Sequence, residues 1–311
     1  MQDEPTLFLL DFAVAPGGGA SPLRPDAPAA LAALRARGAR AVALDATVPE
    51  ALRRLGVRPE AAAVVSDDPA GIGRGRRAGC RTIAATDGRG SRAELLAAGP
   101  DALLGAFAAL PCVRPALAAR LRAAIPPARF AHSLGVADEA WRLAVRYGAD
   151  PDRAWLAGLL HDCAKGVPTA EQVAACDRLG VPLDPATRAC PPVVHAFLGE
   201  RLARDEYGVD DPAVLRAIRL HTVGDGEMTT LDKAVFLADA TEPGRDFPGV
   251  ADLRAAAETG LDDALRLYVD GELRLLAARG GSVHPATLRL RDALARGAEG
   301  GARLAFPAKD G

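Results

Sequence analysis

Six residues form one ordered series with obvious chemistry: His132, the adjacent pair His161 and Asp162, His195, His221 and Asp239. Imidazole nitrogens and carboxylate oxygens are donors that suit first-row transition metals, and an isolated His or Asp cannot hold such a metal in water. A single histidine on a half-apolar helix is ordinary core or surface. Here, however, four of the five histidines in the chain fall in the series. The order points to a dinuclear metal site.

Helices must deliver these side chains. In ADPDRAWLAGLLHDCAK, Asp150 can cap a helix, Pro151 suits its first position, and Ala154, Ala157, Gly158 and His161 recur at helical spacing, so His161 and Asp162 arrive together at its end. The stretches FAHSLGVADEAWRLAVRYG, VVHAFLGERLARDEYG, PAVLRAIRLHTVG and MTTLDKAVFLADA carry the same three-and-four spacing, each with one candidate ligand. An all-α bundle with metals in its core follows over residues 114–298.

Residues 1–110 read differently. TLFLLDFAVA, ARAVALDA, AAAVVSDD and RTIAATDG are short apolar runs alternating with Ala/Arg-rich helical stretches, the pattern of a Rossmann-like parallel sheet layer. Gly and Pro at 16–19 and 88–90 mark turns. A junction with the first bundle helix is expected at 111–125, and a frayed Gly-rich tail at 299–311.

With 311 residues, 49 % hydrophobic and 25 % charged, two domains with sizeable cores are expected. The net charge of -2 provides no global basic field for nucleic acid or an anionic membrane, but a small polyanion bound by local arginines and metals stays compatible. The five scattered cysteines (Cys80, Cys112, Cys163, Cys176, Cys190) read as reduced thiols, and neither an apolar run of spanning length nor a basic leader is present, so a cytoplasmic protein is expected.

The segments HSLGVA, AGLLHDCAK, HTVG with Met228, LDK, ADATEPGR and the late SVHPATLRLRDAL resemble the HD-domain superfamily of metal-dependent phosphohydrolases. Within it they resemble the YqeK-type symmetrical diadenosine tetraphosphate hydrolases. The resemblance covers about 180 residues. It implies that His132, His161, Asp162 and Asp239 hold one metal and His195 and His221 the second, with Asp162 bridging. It also implies iron, with manganese or another divalent ion as substitutes. The chemistry fits: a phosphoanhydride repels hydroxide, and two metals both activate water and neutralise the attacked phosphoryl oxygen. The expected product from one diadenosine tetraphosphate is two ADP.

Of 38 basic residues only Lys165, Lys233 and Lys309 are lysine, which draws attention to Lys165 in HDCAK. We expect Lys165 to contact phosphate or leaving group, Arg245 to clamp phosphate, and Thr222 and Gly224 to shape the substrate loop over the second metal. Lys233 is expected in an ion pair, His284 in a structural or substrate-edge role, and Cys163 as a buried filler. Ala240 and Thr241 stand where larger residues are usual, which predicts a looser substrate pocket.

TLFLLDFAVA and VVSDDPAGIGRGRRAGC resemble the first and last motifs of haloacid-dehalogenase-like (HAD-like) phosphatases, with Asp11 at the nucleophile position and Asp67 at the metal position. Ala13 stands where the second acid belongs, and no lysine precedes Lys165; Arg53 or Arg54 would have to hold phosphate, and the 44–60 connection leaves little room for a cap. A degenerate scaffold that regulates the second domain or recruits a partner is expected. The glycines at 17–19 and in GIGRG are weak phosphate-loop signals. Two alternatives remain at this point: another HD-type activity (a nucleotidase or related dinucleotide polyphosphatase), and a non-catalytic nucleotide or metal sensor.

Overall fold

The computed structural model describes residues 4–11 and 27–298. The expected turn at 16–19, the glycines at 17–19, Ala13 and the 299–311 tail with Lys309 lie outside the described residues. The first elements alternate: β1 (Leu7–Asp11), α1 (Ala27–Ala36), β2 (Arg40–Ala43), α2 (Val48–Leu55), β3 (Ala62–Ser66), α3 (Pro69–Arg77), β4 (Arg81–Ala85), α4 (Arg92–Ala97) and β5 (Ala102–Leu104). All strand pairs are parallel, in the order β2-β1-β3-β4-β5.

Strand alternation explains the layering. Leu7 and Leu9 of β1 point with Ala62 and Val64 towards Val48, Ala51 and Leu52 of α2. Phe8 and Leu10 point the other way with Ala63 and Val65, into a core shared with Ala30 and Leu34 of α1. GIGRG is the interior of α3 instead of a phosphate loop: Asp68 caps that helix through Ala70 N at 3.1 Å, and Gly75 lies against Val64 and Thr82.

From Pro115 onward the described chain is helical: α5 (Pro115–Ala124), α6 (Pro127–Tyr147), α7 (Pro151–Leu160), α8 (Thr169–Leu179), α9 (Pro185–Arg188), α10 (Val194–Asp205), α11 (Pro212–Leu220), α12 (Thr230–Thr241), α13 (Val250–Ala257), α14 (Leu261–Ala278) and α15 (Pro285–Ala298). The stop and start signals act as local chemistry requires. Asp150 accepts from Asp152 N at 2.9 Å and Arg153 N at 3.2 Å ahead of Pro151, and Asp211 accepts from Ala213 N at 2.9 Å ahead of Pro212. Thr229 and Asp232 close a capping box on α12.

Helix α6 packs on α7 and α12, and α11 on α7, α10 and α12. Gly158 permits a close approach of α7 to α6, because a Cβ there would stand 2.8 Å from Val136 O and 2.9 Å from Ala137 Cα. The core that begins at Phe8 continues through Leu104, Phe107, Leu110 and Leu121 to Leu134, Trp155 and Leu237. Sheet and bundle therefore share one apolar interior.

Candidate metal centre

Helix ends supply the ligands. His161 and His221 are the C-caps of α7 and α11, Asp162 follows His161, His195 is the second residue of α10, Asp239 lies in the last turn of α12, and His132 lies in the second turn of α6. The last carbonyls of a helix have no partner along the chain. Here the imidazoles take them: His161 Nδ1 meets Gly158 O at 2.7 Å and His221 Nδ1 meets Ile218 O at 2.7 Å, while His195 Nδ1 meets Pro192 O at 2.8 Å. His132 Nδ1 meets a Glu242 carboxylate oxygen at 3.2 Å. Carbonyls and carboxylates only accept, so each Nδ1 carries the proton and donates it, and each Nε2 turns a lone pair inward.

Those lone pairs converge. His132 and His161 Nε2 are 3.2 Å apart, and His195 and His221 Nε2 are 3.1 Å apart. Asp162 divides its oxygens between the two groups: Oδ1 lies 3.1 Å from His195 Nε2 and 3.7 Å from His221 Nε2, while Oδ2 lies 3.5 Å from His161 Nε2. Asp239 Oδ1 lies 2.9 Å from His132 Nε2 and 3.8 Å from His161 Nε2. Three overlapping trios (His132, His161 and Asp162; His161, His221 and Asp239; Asp162, His195 and His221) keep their donor atoms within 4.8 Å of one another.

Facing lone pairs at such distances repel unless a cation stands between them. Burial argues against a proton in that role, since it pushes His161 down to about 4 and His195 downward as well. His132 is lifted instead, because the negative carboxylates of Asp239 and Glu242 beside the ring outweigh its burial. Burial would raise the Asp162 carboxyl, yet the adjoining imidazoles of His161, His195 and His221 hold it far below the carboxylate range. Asp239 is held low against its burial by His132, His161 and Arg245. Ligands about 2.0–2.1 Å from one ion sit roughly 3 Å apart, so the donor spacing suits divalent metals. The outer partners fix ring orientation as metal-binding histidines require.

Cations line one side. Arg129 Nη1 is 2.9 Å from Asp162 Oδ2, and Arg245 pairs with Asp239 Oδ1, donates from Nε to Asp239 O at 2.6 Å and stands 3.4 Å from His132 Nε2. Lys165 is half-buried; burial lowers its ammonium while Asp162 opposes the shift. Thr222 Oγ1 is buried without a hydrogen-bond partner among the described residues. Gly224, at φ 64°, lines a cavity of about 260 Å³ with His284, Arg219 and Arg289.

The expectations for Thr241 and Arg54 change, and those for Lys233 and Cys163 do not. Thr241 is buried and commits its hydroxyl to Glu139 Oε1 at 3.0 Å and Leu237 O at 2.9 Å, so it ties α12 to α6 and does not widen a pocket. Lys233 pairs with Asp262 at 2.6 Å, and His284 bridges to Thr187 Oγ1 at 3.1 Å while accepting from Ala286 N at 3.2 Å. Cys163 is buried, and burial pushes its thiol up. At the sheet, Arg54 pairs with Asp45, so the cations on the motif acids are others: Arg74 on Asp11 at 2.7 Å and Arg89 on Asp67 at 2.9 Å. Sequence reading missed Arg129, Glu242, Arg74 and Arg89. For Arg129 and Glu242 the usable signal was position, three residues before His132 and three after Asp239.

Residues 129–244 match the family described as HD domain, and residues 45–110 one described as HAD-hydrolase-like. The chain is 38 % identical over 159 residues, 51 % of its length and 85 % of the relative's, to "Bis(5'-nucleosyl)-tetraphosphatase, symmetrical" of Bacillus subtilis. The protein of the same name from Halalkalibacterium halodurans is 36 % identical over 160 residues, again 51 % of this chain and 85 % of that one. A crystal structure of a predicted HD superfamily hydrolase involved in NAD metabolism from Clostridium acetobutylicum superposes with a TM-score of 0.56 at 37 % identity, covering 58 % of this chain and 96 % of that one. Ligand order, helix framework and these likenesses agree: the chain belongs to the HD-domain family that includes the symmetrical bis(5'-nucleosyl)-tetraphosphatases.

Proposed function

We propose that this protein hydrolyses diadenosine tetraphosphate symmetrically to two ADP at a two-metal centre, in the cytoplasm, with iron as its resident metal and manganese as a working substitute. The observation that carries the reading is the convergence of four histidine Nε2 atoms and the carboxylates of Asp162 and Asp239 on one site, with His161, Asp162, His195 and His221 buried. In this reading His132, His161, Asp162 and Asp239 hold one ion, His195 and His221 the other, and Asp162 offers one oxygen to each side. Residues 1–110 and 114–298 act as two domains.

Two divalent ions held there supply Lewis acidity and an activated water for attack on a phosphoanhydride. The protein's own part is positioning and charge. The carbonyl-anchored imidazoles keep their Nε2 atoms deprotonated and aimed without reorganisation. Lys165, Arg129 and Arg245 face the polyphosphate and take up the negative charge that grows on the departing ADP. Thr222 Oγ1 and the Gly224 loop border the substrate on the His221 side.

Anaerobic turnover of diadenosine tetraphosphate by iron- or manganese-loaded protein, with products resolved by chromatography, tests this. ADP alone is the expected product. ATP plus AMP overturns symmetrical cleavage, and turnover of a mononucleotide alone moves the site to another HD-type activity.

A further inference from the structure

One contact chain crosses from the sheet to the metal centre. Arg92, the first residue of α4, places Nη2 3.1 Å from Glu242 Oε2, across 150 positions of sequence. The other oxygen of Glu242 receives His132 Nδ1 at 3.2 Å, and Gly244 N donates 2.6 Å to Oε2. Glu242 is 2 % exposed, so this carboxylate has left water and depends on these partners. The crossing is built into α6. A Cβ on Gly135 would stand 2.3 Å from Glu242 Oε2 and 2.5 Å from Arg92 Nη2, so the helix leaves room where the guanidinium reaches through. Three residues further along the same face, Asp138 accepts from Gly105 N, just beyond β5, at 2.7 Å. His132, Gly135 and Asp138 thus share one stripe of α6, from metal ligand to sheet contact, about 9 Å along the helix.

We propose that the N-terminal α/β layer completes the metal centre: Arg92 is a positioning residue that anchors Glu242, which orients His132 towards the metal it shares with His161 and Asp239. The inference rests on the metal-site reading and adds a role for the sheet. Without Arg92, Glu242 is free to turn from Nδ1, and His132 loses its fixed tautomer and ring plane. Partners of metal-bound histidines typically govern affinity by 10–100-fold. Arg92 acts one bond further out, so about a tenfold loss is expected, confined to one of the two ions.

The test is titration of the metal-stripped full chain with Mn2+ alone, bound metal being followed by electron paramagnetic resonance, for wild type, Arg92→Ala, Arg92→Lys and Arg37→Ala. Arg37 pairs with Asp152 at 2.7 Å across the same interface without touching Glu242, so it controls for loosened docking. Wild type and Arg37→Ala are expected to bind two ions with matching constants. Arg92→Ala should bind one ion normally and the other about tenfold more weakly, with a changed resonance spectrum, and Arg92→Lys should recover most of the loss. Equal binding in Arg92→Ala and wild type overturns the inference alone, as does an equal loss in Arg37→Ala. A wild-type chain that takes up no Mn2+ overturns the metal-site reading along with it.

Discussion

Asp162 joins the two groups of donors, with Oδ2 3.5 Å from His161 Nε2 and Oδ1 3.1 Å from His195 Nε2. His, Asp and their order carry metal chemistry in their own atoms, so His132, His161, Asp162, His195, His221 and Asp239 stood out. Glu242 and Arg129 are one acid and one guanidinium among 40 acids and 38 basic residues, and only a spacing of three from a ligand sets them apart. Asp162 is the residue whose loss has the widest effect, since its two oxygens serve both groups of histidines. Asp162→Ala is expected to leave the fold intact, strip both ions and reduce hydrolysis to background. Elemental analysis of the purified variant beside its turnover checks this, and retained activity would refute the assignment.

At the scale of elements, caps and periodicity were readable because they are local. Asp150 with Pro151 and Asp211 with Pro212 start helices that run nine or ten residues and stop at a histidine, whose Nδ1 then satisfies a carbonyl of the last turn. GIGRG shows the opposite case, because glycine content alone does not distinguish a phosphate loop from a helix packed against a sheet. Gly158 is a close-approach residue between α6 and α7, and its surroundings are backbone, which yields poorly. Gly158→Ala is expected to cost about 2 kcal/mol and to weaken metal loading by separating His161 from His132. Urea midpoints and metal content measured on the same preparation check both effects.

At the scale of the whole molecule, sheet and bundle meet through a continuous apolar core and a few polar ties. Asp138 is one tie, and burial pushes its carboxyl up to about 6, with Gly105 N and the guanidinia of Arg92 and Arg142 opposing and Glu139 assisting. A folded value above the ordinary 3.8 means that the stabilising contribution is complete below that value and is lost as pH rises through about 6. Asp138→Asn keeps an acceptor for Gly105 N without the charge. It should therefore stabilise the protein at pH 7 by about 1 kcal/mol, with the gain vanishing towards pH 4. Unfolding curves at several pH values decide the point, and a loss at pH 7 would count against it. At the carboxyl end of the sheet, Arg74 pairs with Asp11 and Arg89 with Asp67. Asp11→Ala is expected to leave diadenosine tetraphosphate hydrolysis unchanged within about twofold, since the ion pair it breaks is worth no more than about 1 kcal/mol to the fold and touches no metal ligand. A steady-state assay checks it.

By itself, the sequence determined the chemistry of the donors, their order, the helices that carry them and the alternation of strands and helices before them, all of which follow from side-chain type and from spacing within a few residues. The tertiary structure decided which donors meet, which nitrogen of each imidazole faces inward, and that an arginine of the sheet reaches the carboxylate behind His132. Those outcomes depend on contacts between residues up to 150 positions apart. Such contacts are set by how closely backbones can pack, at Gly135 and Gly158 above all, and by which buried charges find a partner once water has been excluded.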